Sequence, residues 1–180
     1  MDYFDITAPM VKFDSLQLLL AIGNALDWEI KMMDVKSTFV NSDLDEEIYM
    51  LQPEGFSDRS SCILQLHKVL YGLKQAGKAW HQRLCGALLS FGYIQSTADE
   101  CIYIRINGSN IKIISVYVDD LGLFVNMKEG MAWVKVELNG KFPMTDLGEM
   151  NKILGIRVER DRDKGLLKIF QGPYIHVILA

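Results

Sequence analysis

Along the chain, the apolar positions alternate between two spacings. From Val11 to Leu26 they fall at helical intervals, with Phe13, Leu16, Leu19 and Leu20 on one face, and Gly23 weakens the pattern only near its end. Ala76 to Phe91 predicts a second amphipathic helix, with Ala76, Trp80, Leu84, Ala87, Leu88 and Phe91 along its apolar stripe. Met127 to Lys141 predicts a third, with Gly130 and Gly140 as weak points. Strands are expected at Trp28 to Val35, Glu47 to Leu51, Cys62 to Leu66, Cys101 to Ile106, Ile111 to Tyr117, Leu121 to Asn126, Met150 to Glu159 and Leu166 to Phe170. Ser37 to Asn41 is a turn or a short helical piece, Asn107-Gly108 marks one hairpin and Asp161 to Gly165 another. Mixed helices and strands joined chiefly by hairpins indicate an α+β fold built on an antiparallel sheet.

Ile111 to Asn126 breaks its own pattern. It reads IKIISVYVDDLGLFVN, two adjacent carboxylates inside an apolar run. Burying an ionised carboxylate costs several kcal/mol or more unless it is compensated. Asp119 and Asp120 are therefore either lifted out at a tight turn or balanced by a cation. In a continuous strand adjacent side chains point to opposite faces, but at a hairpin tip both can approach one point. A plain β-turn is the simpler reading of an isolated Asp-Asp pair. Asp34 shifts the balance, because it too ends an apolar strand, and three carboxylates at strand ends form the donor set that hard cations such as magnesium require.

Composition adds limits. Hydrophobic residues make up 49% and charged residues 23%, as in ordinary globular proteins. At 180 residues the chain fits one domain with one sizeable core. No apolar run is long enough to span a bilayer, and the N-terminus lacks the pattern of a secretory signal. Cys62, Cys85 and Cys101 are irregularly spaced, so a reducing intracellular setting is expected. Asn107-Gly108-Ser109 matches a glycosylation acceptor but reads better as a turn. Net charge is −4, yet no acidic residue occurs between Asp58 and Asp99. Arg59, Lys68, Lys74, Lys78 and Arg83 give that block +5 and leave −9 for the rest (−4 minus +5). Such segregation suits a surface that meets polyanions, or simply a solvated face.

Five blocks then carry a family likeness. DVKSTFVNSDL (34–44), EEIYMLQPEGF (46–56), LHKVLYGLKQAGKAW (66–80), VYVDDL (116–121) and TDLGEMNKILGIRVERD (145–161) resemble, in that order and nearly end to end, the reverse transcriptase domain of copia-type retrotransposons. The resemblance implies a polymerase palm, with a ferredoxin-like antiparallel sheet and packed helices, plus partial fingers. Residues 1–180 would then form one palm and partial-fingers domain, a fragment of a longer polyprotein that lacks upstream fingers strands and a full thumb. Asp34, Asp119 and Asp120 take the catalytic positions, and with the Val35 carbonyl they would hold two Mg2+ (or Mn2+) ions. Two such ions about 4 Å apart activate a 3′-hydroxyl and neutralise leaving pyrophosphate.

Phe39 matches the aromatic gate that excludes a 2′-hydroxyl and so selects dNTP. As an isolated Phe it would be core packing. Gln75 matches a nucleotide-contacting glutamine, or else an exposed helix-start residue. Lys74, Lys78 and Arg83 would meet phosphates, and Leu154 and Gly155 match the hairpin that grips the primer end. Trp80 reads as core. The implied partners are an RNA/DNA template-primer, dNTP and the rest of the polyprotein (integrase, ribonuclease H), with no membrane, in cytoplasmic virus-like particles.

The chain departs from the family pattern at Thr7 (usually Phe), Ser42 (usually Gly), Gly77 (usually Pro), Lys78 (usually Arg) and Gly122 (usually branched), and the last is expected to weaken its strand. Two other readings compete: a catalytically inactive remnant that at most binds nucleic acid, and a zinc site from Cys62, His67, His81 and Cys85, whose spacing is finger-like. Repulsion among the three aspartates should destabilise the metal-free protein.

Overall fold

The computed structural model describes residues 7–56 and 62–171, so Arg59 of the basic block lies outside the described residues. Among those described there are three α-helices: α1 (Phe13–Ala25), α2 (Ala76–Ser90) and α3 (Lys128–Asn139). The strands are β1 (Glu29–Val35), β2 (Asp43–Leu51), β3 (Ile63–Lys68), β4 (Ile94–Gln95), β5 (Ile102–Asn107), β6 (Asn110–Tyr117), β7 (Asp120–Val125), β8 (Met144–Glu149), β9 (Lys152–Ile153), β10 (Ile156–Asp161) and β11 (Leu166–Phe170). A short 3-10 turn spans Thr38–Asn41. The expected α+β class with antiparallel sheets is observed.

The main sheet has six strands in the order β4-β5-β6-β7-β1-β8. The β5–β6–β7 meander follows from the two hairpin signals in the sequence. The long-range step is the insertion of β1 between β7 and β8. β1 and β7 are central, which explains why LGLFV at positions 121–125 is buried throughout. Helices cover both faces of these strands. A Cβ on Gly23 would lie 2.9 Å from Ile30 Cδ1 and 3.6 Å from Phe124, and a Cβ on Gly130 would lie 2.9 Å from Val125 Cγ1. Phe124 and Val125 are consecutive on one strand, so α1 and α3 pack on opposite sides. The glycines that weakened both helical patterns are the points of closest approach to the sheet.

β9, β10 and β11 form a separate three-stranded sheet, and β2 pairs with β3 in a two-stranded ribbon. The single strand expected from Met150 to Glu159 is instead two, because the chain reverses at Leu154-Gly155 between the paired Ile153 and Ile156. β8 and the two-residue β4 had no sequence signal: β8, MTDLGE, has only one buried residue and pairs only with β1. Arg160 fastens the small sheet to α1. It donates to the carbonyls of Trp28 (2.6 Å) and Gly23 (3.1 Å) and to Asn24 Oδ1 (3.1 Å). Because α1 has no basic residue in its last turn, this distant guanidinium supplies the missing cation at its C-terminal end. No helix among the described residues is long and apolar enough to cross a membrane.

Candidate active site

Sheet register brings the carboxylates together. Asp34, near the end of β1, is the direct cross-strand partner of Asp120, the first residue of β7. Opposed residues in an antiparallel pair share a face, with Cβ atoms roughly 5 Å apart. Tyr117 of β6 and Thr145 of β8 extend the same row. Tyr117 pairs with Asp120, so β6 and β7 are joined by only two residues, Val118 and Asp119. The Asp119 carbonyl accepts the Val35 N–H at 3.0 Å, locking the tip onto β1.

That tip is strained. Val118 sits at φ +53°, where a β-branched side chain is a rare outlier and where a two-residue hairpin would ordinarily place glycine. Strain of this sort costs about 1–3 kcal/mol and persists only where the surroundings hold it. The buried indole of Trp80 on α2 donates from Nε1 to the Val118 carbonyl at 2.6 Å. The sequence reading of Trp80 as core is right, since it is 1% exposed, but it missed this role. The available signal was that a buried indole N–H needs an acceptor. Thr38 Oγ1 donates to the Val35 carbonyl at 2.8 Å, which leaves that oxygen a second lone pair.

All three aspartates are half-buried. Burial, reinforced by the charges of Asp119 and Asp34, pushes the Asp120 carboxyl up to about 6, and Lys152 partly opposes the shift. Burial and then the Asp119 charge also raise Asp34, against Lys36. None of the three carboxylates has an ion-pair partner among the described residues. The donor set is all hard oxygen, which suits magnesium or manganese. Even so, no group of three or more His, Cys, Asp or Glu side chains among the described residues is disposed to hold a metal ion. The carboxylates therefore share a neighbourhood without forming a closed cage. The same finding removes the zinc reading: Cys62 and His67 lie at the ribbon, His81 and Cys85 on α2, and they do not assemble.

A model of the reverse transcriptase (RNA-dependent DNA polymerase) family matches residues 1–180. The chain belongs to this family. It is 38% identical over 182 residues to the retrovirus-related Pol polyprotein from transposon TNT 1-94 of Nicotiana tabacum, a match covering 99% of the chain and 14% of that polyprotein. It is 33% identical to the corresponding polyprotein from transposon RE1 of Arabidopsis thaliana, covering 100% of the chain and 12% of the relative. It is also 34% identical over 130 residues to the putative transposon Ty5-1 protein of Saccharomyces cerevisiae, covering 71% of the chain and 42% of that protein. The chain is thus a copia-type reverse transcriptase domain, and it spans only about 14% and 12% of the two Pol polyproteins.

Within this reverse transcriptase domain, Leu154 and Gly155 share a cavity with Asp120. With Met32, Tyr117, Asp120, Leu147, Asn151, Lys152 and Ile153 they line a cavity of about 440 Å³. Both turn residues have positive φ, +52° and +75°, which for Leu154 is a second strained position after Val118. The remaining predicted residues sit on another flank. Phe39, in the 3-10 turn, packs edge-on against Tyr71 with ring centroids 4.5 Å apart. Gln75, at the N-terminal cap of α2, donates to Glu46 of β2 at 3.3 Å. Lys74 and Lys78 are each engaged by a neighbour, and Arg83 is exposed on α2 near Asp43.

Gly122 corrects the expectation of a weakened strand. A Cβ there would overlap Ser115 Oγ and come within 2.8 Å of Met150 Cε. The space a branched residue would need is already taken, and β7 runs unbroken through it.

Proposed function

We propose that the chain is the RNA-directed DNA polymerase domain of a copia-type retrotransposon, transferring nucleotides from dNTP to a primer 3′-hydroxyl. The observation that carries this reading is the register pairing of Asp34 with Asp120, one residue from Asp119 at a strained, indole-anchored tip. The six-stranded sheet and its helices would be the palm, and the β2–β3 ribbon with the start of α2 would be part of the fingers. Asp34, Asp119, Asp120 and the free lone pair of the Val35 carbonyl are the groups that would hold magnesium or manganese. When bound, the ion pair supplies Lewis-acid activation of the hydroxyl and neutralises the pyrophosphate.

The chain's own residues place the reactants. The Leu154-Gly155 turn and Tyr117 offer an apolar edge to the primer end across the cavity at Asp120. The Phe39 ring, held by Tyr71, excludes a ribose 2′-hydroxyl. Gln75, Lys74, Lys78 and Arg83 meet the nucleotide and the phosphate backbone. The partners are an RNA/DNA template-primer and the other domains of a polyprotein.

Primer extension by the purified chain with magnesium, compared with Asp119→Ala, tests the reading. Extension that survives the substitution ends it. A second reading, an inactive remnant that folds and at most binds nucleic acid, draws on the lack of a closed three-carboxylate group. Equal, salt-sensitive RNA binding by both proteins without extension would select it.

A further inference from the structure

Trp80 ties α2 to the tip that carries Asp119. It is buried, its one polar atom is the indole N–H, and that N–H goes to the Val118 carbonyl at 2.6 Å. Its ring meets Phe142 edge-on, with centroids 5.1 Å apart. Phe142 precedes Pro143, whose carbonyl accepts the Lys36 N–H at 2.8 Å, next to the Val35 N–H that binds the Asp119 carbonyl at 3.0 Å. One indole therefore touches both segments that staple the Asp34 end of β1 in place.

Val118 needs such a hold. At φ +53° its backbone lies in the left-handed region, which a β-branched residue rarely occupies and glycine occupies freely. A peptide group is rigid, so an anchor on the Val118 oxygen fixes the direction in which the chain enters Asp119. Without it a valine turn relaxes toward negative φ, and the Val118–Asp119 peptide rotates with it. Asp34 and Asp120 are held by ladder pairing, whereas Asp119 lies between strands. Its charge nonetheless acts on both of the other acids.

We infer that Trp80 is a positioning residue: its indole N–H holds the Val118 peptide in the strained turn that keeps the Asp119 carboxylate beside Asp34 and Asp120. That this row binds catalytic ions rests on the polymerase reading; the hold on the tip does not.

The test is amide hydrogen exchange without divalent ions, followed by manganese titration read from the electron paramagnetic resonance of free Mn2+. Wild type, Trp80→Phe, Val118→Gly and the double variant are compared. Trp80→Phe keeps an aromatic ring against Phe142 and removes the donor. Relative to the central amides of β7, the Val35 amide should exchange about tenfold faster in Trp80→Phe, and Mn2+ should bind about tenfold more weakly, the size of one lost buried hydrogen bond. In the Val118→Gly background, where the turn needs no hold, Trp80→Phe should change either value by less than about threefold. A role in packing alone would loosen the β7 amides as much as Val35 and leave Mn2+ affinity unchanged, and either result overturns the proposal. So does an equal loss with and without Val118→Gly. Wild type that binds no Mn2+ defeats the metal site, and with it the polymerase reading, while the exchange ratio still decides the role of Trp80.

Discussion

At the residue scale, Asp120 couples charge to stability. Its folded value of about 6 lies above the ordinary 3.8, so between those values the native state keeps a proton that the unfolded chain releases. In the metal-free protein the contribution of Asp120 to stability should be complete below about pH 4 and be lost as pH rises through about 6, by at most about 3 kcal/mol and less after solvent screening. Thermal melts of wild type and Asp120→Asn between pH 4 and 8 measure this. The variant should show a flatter profile and a higher Tm at pH 8, and identical profiles would refute the coupling. Phe39 gives a second expectation: Phe39→Val should raise ribonucleotide incorporation about 10- to 100-fold relative to dNTP, as read from competing primer extensions. At this scale the sequence was informative about identity and silent about support. Asp34, Asp119 and Asp120 stood out because carboxylates interrupted apolar strands. The Trp80 bond to the Val118 carbonyl and the strain at Val118 were illegible, since both depend on a helix and a hairpin that meet only in three dimensions.

Elements show where local propensity and packing disagree. Gly77 and Gly130 both lie in helices, and propensity alone favours alanine at each by up to about 1 kcal/mol. At Gly77 a Cβ would meet only Ala8 at 3.5 Å, so Gly77→Ala should stabilise by about 0.5–1 kcal/mol. At Gly130 the Cβ would press on the stiff Val125 side chain at 2.9 Å, so Gly130→Ala should destabilise by about 1–2 kcal/mol. Urea denaturation of the two variants decides the matter: stabilisation by Gly130→Ala would contradict the close packing of α3, and destabilisation by Gly77→Ala would contradict the open site at α2. Arg160→Met should cost about 2–3 kcal/mol, because it removes the donor to the Trp28 carbonyl and one of the two donors to the Gly23 carbonyl, which keeps the Trp28 N–H. Periodicity revealed the three helices and the β5–β6–β7 meander, whose contacts are local. It did not reveal β8, whose residues are too exposed to alternate, or the reversal at Leu154-Gly155, where a leucine occupies a position that turn chemistry assigns to asparagine or glycine.

For the whole molecule, three acids held close together leave room for stabilisation by a counter-charge. Magnesium or manganese at millimolar levels should raise Tm by a few degrees in wild type and not in Asp119→Ala, since a ligand of the native state alone adds RT ln(1 + [L]/Kd). Differential scanning fluorimetry reads it, and equal responses from both proteins would count against a formed site. The order of assembly follows from the place of β1. That strand is made early, yet both its neighbours, β7 and β8, are made late. During synthesis the segment 29–35 must leave the ribosome and wait, with its apolar flanks uncovered, until residues 120–149 have emerged. Pulse-labelled hydrogen exchange during refolding should show amide protection in the meander before β1, and the nascent chain should depend on chaperones for as long as that slot stays vacant.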